Sequence, residues 1–576
     1  MARLPVELRV RRSDPVYNAH AYLTKVPCSA ILPFIEALTE PGDVVLDVFA
    51  GSGMTGVAAT MAGRRAELRD ISALGQHIGT GYLAQVDGAA VEAAARRVTE
   101  STRDELGDVY ATRCARCDGA GTLSKTVWSF QYACGNCNLP LTYYEVFKAS
   151  GWVKGAMSCP HCAERFQPRG AARLDEVPVL DQIRCRCAST LRDQVHSPPL
   201  IPVSLDGLRY PDIEIGTGRQ MFQASALRKH GLFTTGAFFS TRNLAVLAAL
   251  HMAIAAERDD QVRQKLLFAF TAILTRASKR YQWHPKRPLN AANQNYYIAP
   301  VFYEWNVYEL FDRKVKASLR SDAFIEAEMR GRGFRARPTS RYRVCSADAL
   351  DLANGSVDYV FTDPPFGSQI FYSDMNLFQE AWLGTFTNEE HEAVVDRSRR
   401  GSSRRSPQRY ESIIVGALRE CGRVLKSGGW LSMVFSNSSG DMWTLVQRAI
   451  HASGFVLEHV TLLDKGQRSV KGLTSGFENV VTADLILTMR KAGLTDSRVL
   501  QEPPRGALER AILNALRQPG PLTPTHVYLW VVTEYLRNEW RVDEVAVKTI
   551  RDDVAARGYD LDPATGVLFA GRTIAV

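Results

Sequence analysis

The chain has 576 residues, a length that predicts roughly three or four domains, and its hydrophobic fraction of 45% is sufficient for sizeable buried cores. The formal net charge of +9 is modest for this length and permits a polyanionic partner without requiring one. The sequence has no uncharged apolar run of the roughly 18 residues that a membrane-spanning helix needs, and its start, MARLPVELRVRRSD, lacks a secretory or transit pattern, so we expect a soluble protein without a membrane partner.

The first strong pattern in chain order is an apolar run followed by a glycine turn. Val44–Leu46 predicts a buried strand that ends near Asp47, and the alanine-rich stretch VAATMAG after the turn predicts a helix. Gly51, Gly53 and Gly56 fit the spacing G-x-G-x-x-G. Glycine lets a ligand approach the backbone, and the start of a helix offers unpaired N–H groups, so we expect a nucleotide-like ligand here. The pattern alone also fits a dinucleotide cofactor.

The next predicted strand is AELRDIS, which carries Asp70 near its end. An acid at this position can accept hydrogen bonds from both hydroxyls of a ribose, or it can cap the helix predicted for SALGQHIGTGYL, and the two roles are compatible. A third strand should follow within about 30 residues if the connections are short. Strand-like sequence returns only at RYRVCSADAL and VDYVFTD, so we expect an insertion of roughly 250 residues, from about 90 to 340.

The insertion begins with a cluster of cysteines, which in an intracellular chain indicates metal binding rather than disulfides. Two C-x-x-C pairs are separated by sixteen residues, and this spacing is close to that of a zinc ribbon with Cys114, Cys117, Cys134 and Cys137 as ligands. A third pair and a shorter C-x-C pair predict a second zinc ion bound by Cys159, Cys162, Cys185 and Cys187. Four thiolates leave a zinc ion no open position, so we expect both ions to be structural. The alternative is a set of reduced core cysteines.

The second part of the insertion is predicted to be helical from Leu244 to Arg280, and aromatic residues follow. Tyr281–Arg287 and Asn293–Trp305 interleave these aromatic residues with arginine, lysine and asparagine. Rings can stack on bases while cations contact phosphates, so the segment fits a polynucleotide-binding surface. A core with an ordinary basic rim fits equally well.

Two arginine-rich runs lie near the later strands. Arg330–Arg343 and Arg397–Arg409 each contain six arginines and no acid. Charge runs are usually solvated faces, but two such runs beside the predicted strand ends favour a nucleic-acid partner.

The stretch that decides between the ligand classes is Phe361–Phe366, which has the sequence FTDPPF and ends the apolar run VDYVF. F-x-G-x-G together with D-P-P-F resembles the amino-methyltransferases, which use S-adenosylmethionine (AdoMet) to methylate exocyclic amines of bases. The stretch TDPPFGSQIFYSDMNLFQEAWLG also resembles bacterial DNA methylases found beside restriction or phage-defence genes, whose insertions carry zinc ribbons. The resemblance covers residues ~15–80 and ~340–490.

The resemblance implies a Rossmann-like α/β fold with a seven-stranded, mostly parallel sheet and with ligands at the carboxyl ends of its strands. It implies the following AdoMet-binding residues: Thr24, Lys25, Asp47, Phe49, Gly51, Gly53, Asp70 and Asp348. It implies the following catalytic residues: Asp363, Pro364, Pro365 and Phe366. Asp348 can instead cap a following helix.

The same resemblance predicts a site-specific enzyme that acts on a base flipped out of double-stranded DNA. An aspartate at position 363 favours adenine N6, while cytosine N4 would involve the same chemistry. Methylation of guanine N2 in tRNA and a non-catalytic nucleic-acid scaffold also fit the sequence, although less well. The cytoplasm of a bacterial or archaeal cell and restriction or phage-defence partner proteins are expected on the same grounds.

These patterns divide the chain into four parts. The predicted methyltransferase domain comprises residues 1–90 and 341–492, and the insertion is 91–340, with zinc ribbons at about 110–190 and the helical, basic part at about 220–340. Amphipathic stretches in 500–576 predict a small helical domain, which could be a winged helix.

Overall fold

The structure is a computed structural model of the chain, and it describes residues 4–10, 13–225, 227–285, 289–290, 296–367, 370–396, 405–464, 483–492, 500–519, 522–562 and 566–570. Among the helices in these ranges, none combines the length and the apolar character needed to cross a membrane. The described strands form two large sheets and one small sheet.

The strands, in chain order, are β1 (Glu7–Arg9), β2 (Val44–Asp47), β3 (Arg65–Asp70), β4 (Ala111–Arg113), β5 (Ala120–Ala133), β6 (Pro140–Thr142), β7 (Arg173–Cys185), β8 (Arg192–Val195), β9 (Tyr281–Gln282), β10 (Leu289–Asn290), β11 (Val301–Trp305), β12 (Ser340–Val344), β13 (Val357–Thr362), β14 (Leu425–Phe435), β15 (Phe455–Asp464), β16 (Ala483–Lys491), β17 (Tyr559–Leu561) and β18 (Leu568–Ala570).

The helices, in chain order, are α1 (Pro15–Ala19), α2 (Cys28–Leu38), α3 (Met54–Met61), α4 (Ala73–Leu83), α5 (Gly88–Leu106), α6 (Tyr143–Ala149), α7 (Gln220–Ala224), α8 (Leu227–His230), α9 (Thr241–Ala255), α10 (Asp260–Ala277), α11 (Val307–Gly331), α12 (Tyr372–Leu383), α13 (Pro407–Val424), α14 (Gly440–Ala452), α15 (Ala507–Leu516), α16 (Pro524–Arg537) and α17 (Val547–Ala556).

The main sheet has the strand order β1-β15-β16-β14-β13-β2-β3-β12 and is parallel except for β16, which runs antiparallel to both of its neighbours. Successive residues of its central strands are buried in opposite cores, Val45 and Tyr359 on one face and Leu46 and Val360 on the other. Both faces are therefore covered, as expected for a parallel sheet flanked by helices. The fold is mixed α/β, as predicted, but the described sheet has eight strands rather than seven. The extra strand is β1, whose three residues are too few to produce a periodic pattern.

The glycine turn begins at the end of β2, and helix α3 starts immediately after it. Val57 and Ala58 of α3 are completely buried, and the small alanine side chain lets the helix approach the sheet closely. Gly51 and Gly53 have φ angles of 48° and 79°, in the left-handed region that favours glycine. A Cβ atom at Gly53 would lie 2.8 Å from the Cα of Gly79 in α4, so this glycine allows α3 and α4 to pack together.

We expect Gly53→Ala to destabilise the main domain by about 2–4 kcal/mol, because it adds left-handed backbone strain to a clash with the backbone of a neighbouring helix. Thermal unfolding followed by circular dichroism would show this as a lower midpoint. Gly155→Ala is the matched control, because a Cβ atom there has nothing within 4 Å. Equal midpoints for the two variants would contradict this packing role.

Residues 71–339 lie between β3 and β12, which are neighbours in the main sheet. They include a second sheet around the long strand β5, which pairs with β7 and β11, and several helices such as α9, α10 and α11. A buried ion pair of 2.7 Å between Arg242 and Glu304 joins α9 to β11. Breaking such a buried pair by removing one partner typically costs about 3–5 kcal/mol, because the remaining charge is left without compensation.

The C-terminal part consists of α15, α16, α17 and the antiparallel pair β17–β18. It packs onto the main domain through one shared hydrophobic core. Polar contacts reinforce this core, because the Tyr528 hydroxyl donates to the Asn437 carbonyl (3.0 Å) and accepts from the Trp443 indole N–H (3.1 Å).

Candidate active site

A cleft of about 900 Å³ lies at the carboxyl ends of four parallel strands of the main sheet, β2, β3, β12 and β13. The segments that follow these strands line it, which is the usual position of ligand sites in open α/β sheets. The predicted residues that line this cleft are Thr24, Lys25, Asp47, Phe49, Gly51, Asp70, Asp363 and Pro365. The fold thus brings the glycine turn and the D-P-P-F segment together, although more than 300 residues separate them in sequence.

Asp47 links these two segments. Its carboxylate accepts hydrogen bonds from the hydroxyls of Thr55 in α3 (2.6 Å) and Thr362 in β13 (2.8 Å), and from the Phe49 amide (3.1 Å). Burial raises the pKa of Asp47 to about 7, against the opposing effect of these donors. Asp47 therefore fixes the separation between the turn and the strand that carries Asp363.

Asp70 holds the glycine turn from the neighbouring strand. Its two carboxylate oxygens accept from the amides of Gly51 and Ser72, both at 2.8 Å. The Tyr342 hydroxyl donates to the Gly51 carbonyl at 2.7 Å, so both polar backbone groups of this glycine are fixed. Each carboxylate oxygen of Asp70 keeps further acceptor capacity toward the cleft.

The D-P-P-F loop is fixed through its carbonyl groups. The Tyr410 hydroxyl donates to the Pro365 carbonyl at 2.6 Å, and the Asn437 amide donates to the Phe366 carbonyl at 2.8 Å. The Phe366 ring packs edge-on against Phe435, with ring centroids 5.4 Å apart. Phe366 therefore packs against Phe435 while staying partly exposed, and its catalytic role stays a prediction.

Three further predicted residues do not line the cleft. Gly53 lies beneath the turn against α4, Pro364 is buried, and Asp348 accepts a hydrogen bond from the Ser346 hydroxyl. After β12 the cleft is lined instead by Ser346 and Ala347, two and one positions before Asp348. The described backbone has no helix immediately after Asp348 that it could cap.

Tyr22 and Tyr372 also line the cleft, and neither was predicted as a site residue. Their rings stack with centroids 6.1 Å apart, and the hydroxyls of Thr24 and Tyr372 lie 2.7 Å from each other. These contacts join the N-terminal segment to the start of α12. Tyr372 is the first residue of α12, the helix that follows the D-P-P-F segment. This position is the feature of the sequence that could have identified Tyr372 as a site residue.

Lys25 is almost completely buried, and its ammonium group donates to the carbonyls of Tyr17 (2.5 Å) and His20 (2.8 Å). Burial, together with the charge of Lys314, lowers the pKa of Lys25 to about 7. In this structure Lys25 pins the segment that carries Thr24, while its own side chain forms part of the wall of the cleft.

Buried carboxylates of α12 and the following loop attach the insertion to this site. Asp374 is completely buried, pairs with Arg219 at 3.1 Å and accepts from the Met221 amide at 2.9 Å. Glu392, which lines the cleft, accepts from the Ser373 hydroxyl (2.7 Å) and pairs with Arg405 (3.2 Å). A displacement of the insertion would therefore move residues near the wall of the cleft.

The eight cysteines form two clusters whose ligand sets differ from the expected ribbon. Within each cluster, all four sulfur atoms lie within 4.8 Å of one another. One cluster contains Cys114, Cys117, Cys185 and Cys187, and the other contains Cys134, Cys137, Cys159 and Cys162. The predicted grouping of Cys114 and Cys117 with Cys134 and Cys137 is therefore wrong.

The reason is the conformation of the sixteen residues between Cys117 and Cys134. Fourteen of them form the long strand β5, which at about 3.3 Å per residue holds the two C-x-x-C pairs roughly 45 Å apart. The antiparallel partner β7 returns Cys185 to the first pair, with Gly121 opposite Cys185. The clusters therefore lie at opposite ends of one strand.

Both clusters have dimensions that fit a tetrahedral metal ion. Pairs of sulfur atoms lie 3.5–3.7 Å apart, as in Cys117–Cys185 and Cys134–Cys162. Zinc–sulfur bonds of about 2.3 Å in a tetrahedron place the sulfurs roughly 3.8 Å apart, whereas a disulfide would require about 2.05 Å.

Comparison with known proteins gives one match to a family model. Residues 8–86 match the family described as DNA methylase. The protein described as methylase YubD from Escherichia coli (strain K12) is 50% identical over 48 residues, which is 8% of this chain and 21% of that protein. The matched region contains the N-terminal segment, the glycine turn and Asp70.

Several solved methyltransferase structures are similar to part of this chain, with low TM-scores. TrmN from Thermus thermophilus is 13% identical with a TM-score of 0.16, covering 31% of this chain and 34% of that chain. The antibiotic-resistance methyltransferase Kmr is 17% identical with a TM-score of 0.16, covering 30% and 72% respectively. Geranyl diphosphate C-methyltransferase from Streptomyces coelicolor A3(2) is 11% identical with a TM-score of 0.18, covering 31% and 61%. These scores are too low to support an argument.

The family match confirms the resemblance that the glycine turn and the D-P-P-F motif predicted. Residues 8–86 of the chain are thus similar to the DNA methylase family of the adenine-N6 and cytosine-N4 type.

Proposed function

We propose that the chain transfers a methyl group from AdoMet to the exocyclic amine of a DNA base, and that the base is adenine, modified at N6. The observation that carries this proposal is the single cleft lined by the turn after β2 and by Asp363 and Pro365 after β13. A cofactor site and an amine-binding site that share one cleft allow direct transfer between two bound molecules.

The donor set of the cleft fits AdoMet. A ribose has two hydroxyl donors, and Asp70 presents carboxylate oxygens at the end of β3. Ile71 and Ala347 supply apolar walls for a flat base, while Thr24 and Gly51 supply polar groups near the turn. When bound, AdoMet supplies a methyl group activated by its sulfonium. Within the proposed set, Gly53 and Asp348 act indirectly, by shaping the turn and the loop after β12.

The target amine requires help from the protein, because its lone pair is delocalised into the ring of the base. Asp363, which lines the cleft, accepts one N–H, and the carbonyl of Pro364, which does not line the cleft in this structure, comes within reach when the base binds and accepts the other. These two hydrogen bonds make the nitrogen more tetrahedral and more nucleophilic. The prolines restrict the direction of that carbonyl. Most of the rate enhancement then comes from alignment and fixed electrostatics. The base must leave the duplex to reach Asp363, so the enzyme flips its target.

The direct test is methyl transfer from labelled AdoMet to plasmid DNA, followed by digestion to nucleosides and mass spectrometry. We expect label in N6-methyladenine. N4-methylcytosine without N6-methyladenine would reject adenine but keep the chemistry, and label in tRNA alone would reject DNA. No transfer to either polymer by a chain that binds AdoMet would favour a non-catalytic scaffold.

We further propose double-stranded DNA as the macromolecular partner and the cytoplasm as the site of action. The match to the DNA methylase family supports both. A restriction or phage-defence partner protein remains a prediction from the sequence resemblance.

A further inference from the structure

The arginine-rich runs in the sequence do not supply a free basic surface. In the first run, five of the six arginines form ion pairs with carboxylates of the same chain: Arg330, Arg332, Arg337, Arg341 and Arg343. In the second run, Arg405 is buried against Glu392, and residues 397–404 lie outside the described residues. A nucleic-acid strand must therefore find other cations.

The second sheet gathers a different set of cations, which are distant from one another in sequence. We use the name cation–aromatic patch for the following four cations and three rings: Lys125 in β5, Arg276 in α10, Arg313 and Lys314 in α11, Tyr281 in β9, and Tyr303 and Trp305 in β11. Lys125 and Trp305 are directly opposite each other in the pairing of β5 with β11.

Three of these cations surround one indole ring. The Lys125 ammonium lies 4.2 Å from the centroid of Trp305, and the guanidinium carbons of Arg276 and Arg313 lie 5.4 and 5.2 Å from it. Arg276 also lies 5.3 Å from the Tyr281 centroid. The rings hold the cationic groups in place without neutralising them, because a cation–π contact leaves the charge available to an anion.

Among the described residues, none of the four cations forms an ion pair. Lys314 donates to the backbone carbonyls of Asn18 (3.0 Å) and Ala19 (2.8 Å), and Arg313 donates to the carbonyl of Glu309 (3.2 Å). The cluster therefore carries an excess of positive charge at one place on a chain whose overall charge is modest.

The neighbouring carboxylates are already engaged. Glu309 accepts from the Ser124 hydroxyl at 2.9 Å and pairs with Arg184 at 3.5 Å. Asp312 pairs with Lys316 at 2.9 Å, and Asp193 accepts from the Gln182 amide at 2.9 Å. Their residual charge does not cancel the repulsion within the patch.

The pKa shifts of the two lysines in the patch are consistent with this repulsion. Burial, together with the charges of Arg276 and Arg313, lowers the pKa of Lys314 to about 8. Burial also lowers the pKa of Lys125, and Arg313 adds to that shift. An anion bound among these groups would relieve the repulsion, so the patch is prepared for one.

The patch lies near the cleft along the chain. Lys314 holds the carbonyl of Ala19, and Thr24, five residues later, lines the cleft. Five residues span at most roughly 18 Å. At about 3.4 Å per nucleotide along one strand, this is roughly five nucleotides. A duplex with one base in the cleft is therefore long enough to reach the patch.

We propose that the cation–aromatic patch binds the phosphate backbone of the DNA whose base enters the cleft. This inference rests on the proposed function, because it assumes a DNA substrate. Contacts of this kind position the duplex without reading its sequence, and they release condensed counterions.

The test is the salt dependence of DNA binding, measured by fluorescence anisotropy with a labelled duplex. We expect Lys125→Gln/Arg313→Gln to weaken binding about tenfold and to lower the slope of log affinity against log salt by about 2, since each phosphate contact contributes about 0.9. AdoMet binding should not change. The matched control is Arg97→Gln/Arg541→Gln, which removes two positive charges from exposed ion pairs elsewhere on the surface.

If the salt slope and the DNA affinity of the double variant equalled those of the control, the proposed role of the patch would be wrong. The proposal would also be wrong if poly-L-glutamate displaced the labelled DNA as effectively as unlabelled DNA does at equal charge, because the patch would then bind polyanions in general. If the double variant does not fold, the single variant Arg313→Gln, at an exposed helix position, should lower the slope by about 1. A wild-type chain that neither binds nor methylates DNA would instead remove the proposed function. If the wild-type chain binds and methylates DNA and the variants have no effect, only the proposed role of the patch would be rejected.

Discussion

Asp363→Ala is expected to lower the rate of methyl transfer at least about 10³-fold while AdoMet affinity stays within about threefold of the wild-type value. Asp363 is the acceptor for the target amine in the proposed chemistry, and its neighbour Pro365 is fixed by Tyr410 whether or not the carboxylate is present. The loop should therefore keep its conformation. The appropriate measurement is a single-turnover rate at saturating DNA and AdoMet, which separates the chemical step from binding.

Asp363→Asn refines this expectation. Its amide oxygen can still accept one N–H, so this variant should retain more activity than the alanine variant. Asp441→Ala removes an exposed carboxylate from the first turn of α14, outside the cleft, and should leave the rate unchanged. An alanine variant at position 363 that stays within tenfold of the wild-type rate would reject the role of this residue.

The position of the cleft could be predicted from the sequence, because ligands of parallel sheets lie at the carboxyl ends of the strands. Asp47 and Asp70 end strands, Asp363 follows one directly, Gly51 lies in the turn after β2, and all four line the cleft. What could not be predicted is the role of each side chain within the motif. Phe366, for example, packs against Phe435, which lies about 70 positions away in the sequence, and the motif gives no signal of that contact.

The charge pattern shows a second limit of sequence analysis. The run Arg330–Arg343 is conspicuous in the sequence, but carboxylates such as Glu36, Glu67 and Asp351 approach it from other segments. Lys125, Arg276 and Arg313 are unremarkable in the sequence and meet only in the folded chain. Charge available for binding depends on which acids the fold brings near, and a linear run does not contain that information.

The cysteine clusters lead to the second large expected effect, which is on metal content and on the stability of the insertion. We expect two zinc ions per purified chain by elemental analysis. Cys114→Ser/Cys185→Ser should retain one ion, because both ligands belong to the same cluster. Cys114→Ser/Cys134→Ser should retain none, because each substitution breaks a different cluster. A ribbon formed by Cys114, Cys117, Cys134 and Cys137 requires the reverse outcome, so the two pairs of variants decide between the arrangements.

The structural consequence should follow the same division. A structural zinc site can supply on the order of 10 kcal/mol of folding free energy in a small domain, and the ends of β5 and β7 carry or adjoin the ligands of both clusters. Loss of the cluster that contains Cys185 should therefore increase hydrogen exchange first where β7 pairs with the start of β5. Loss of the cluster that contains Cys134 should increase hydrogen exchange first at the other end of β5. AdoMet binding in the cleft of the main sheet should persist in both variants, because none of the eight cysteines lines that cleft. Loss of AdoMet binding in parallel with loss of zinc would mean that the second sheet supports the cofactor site directly.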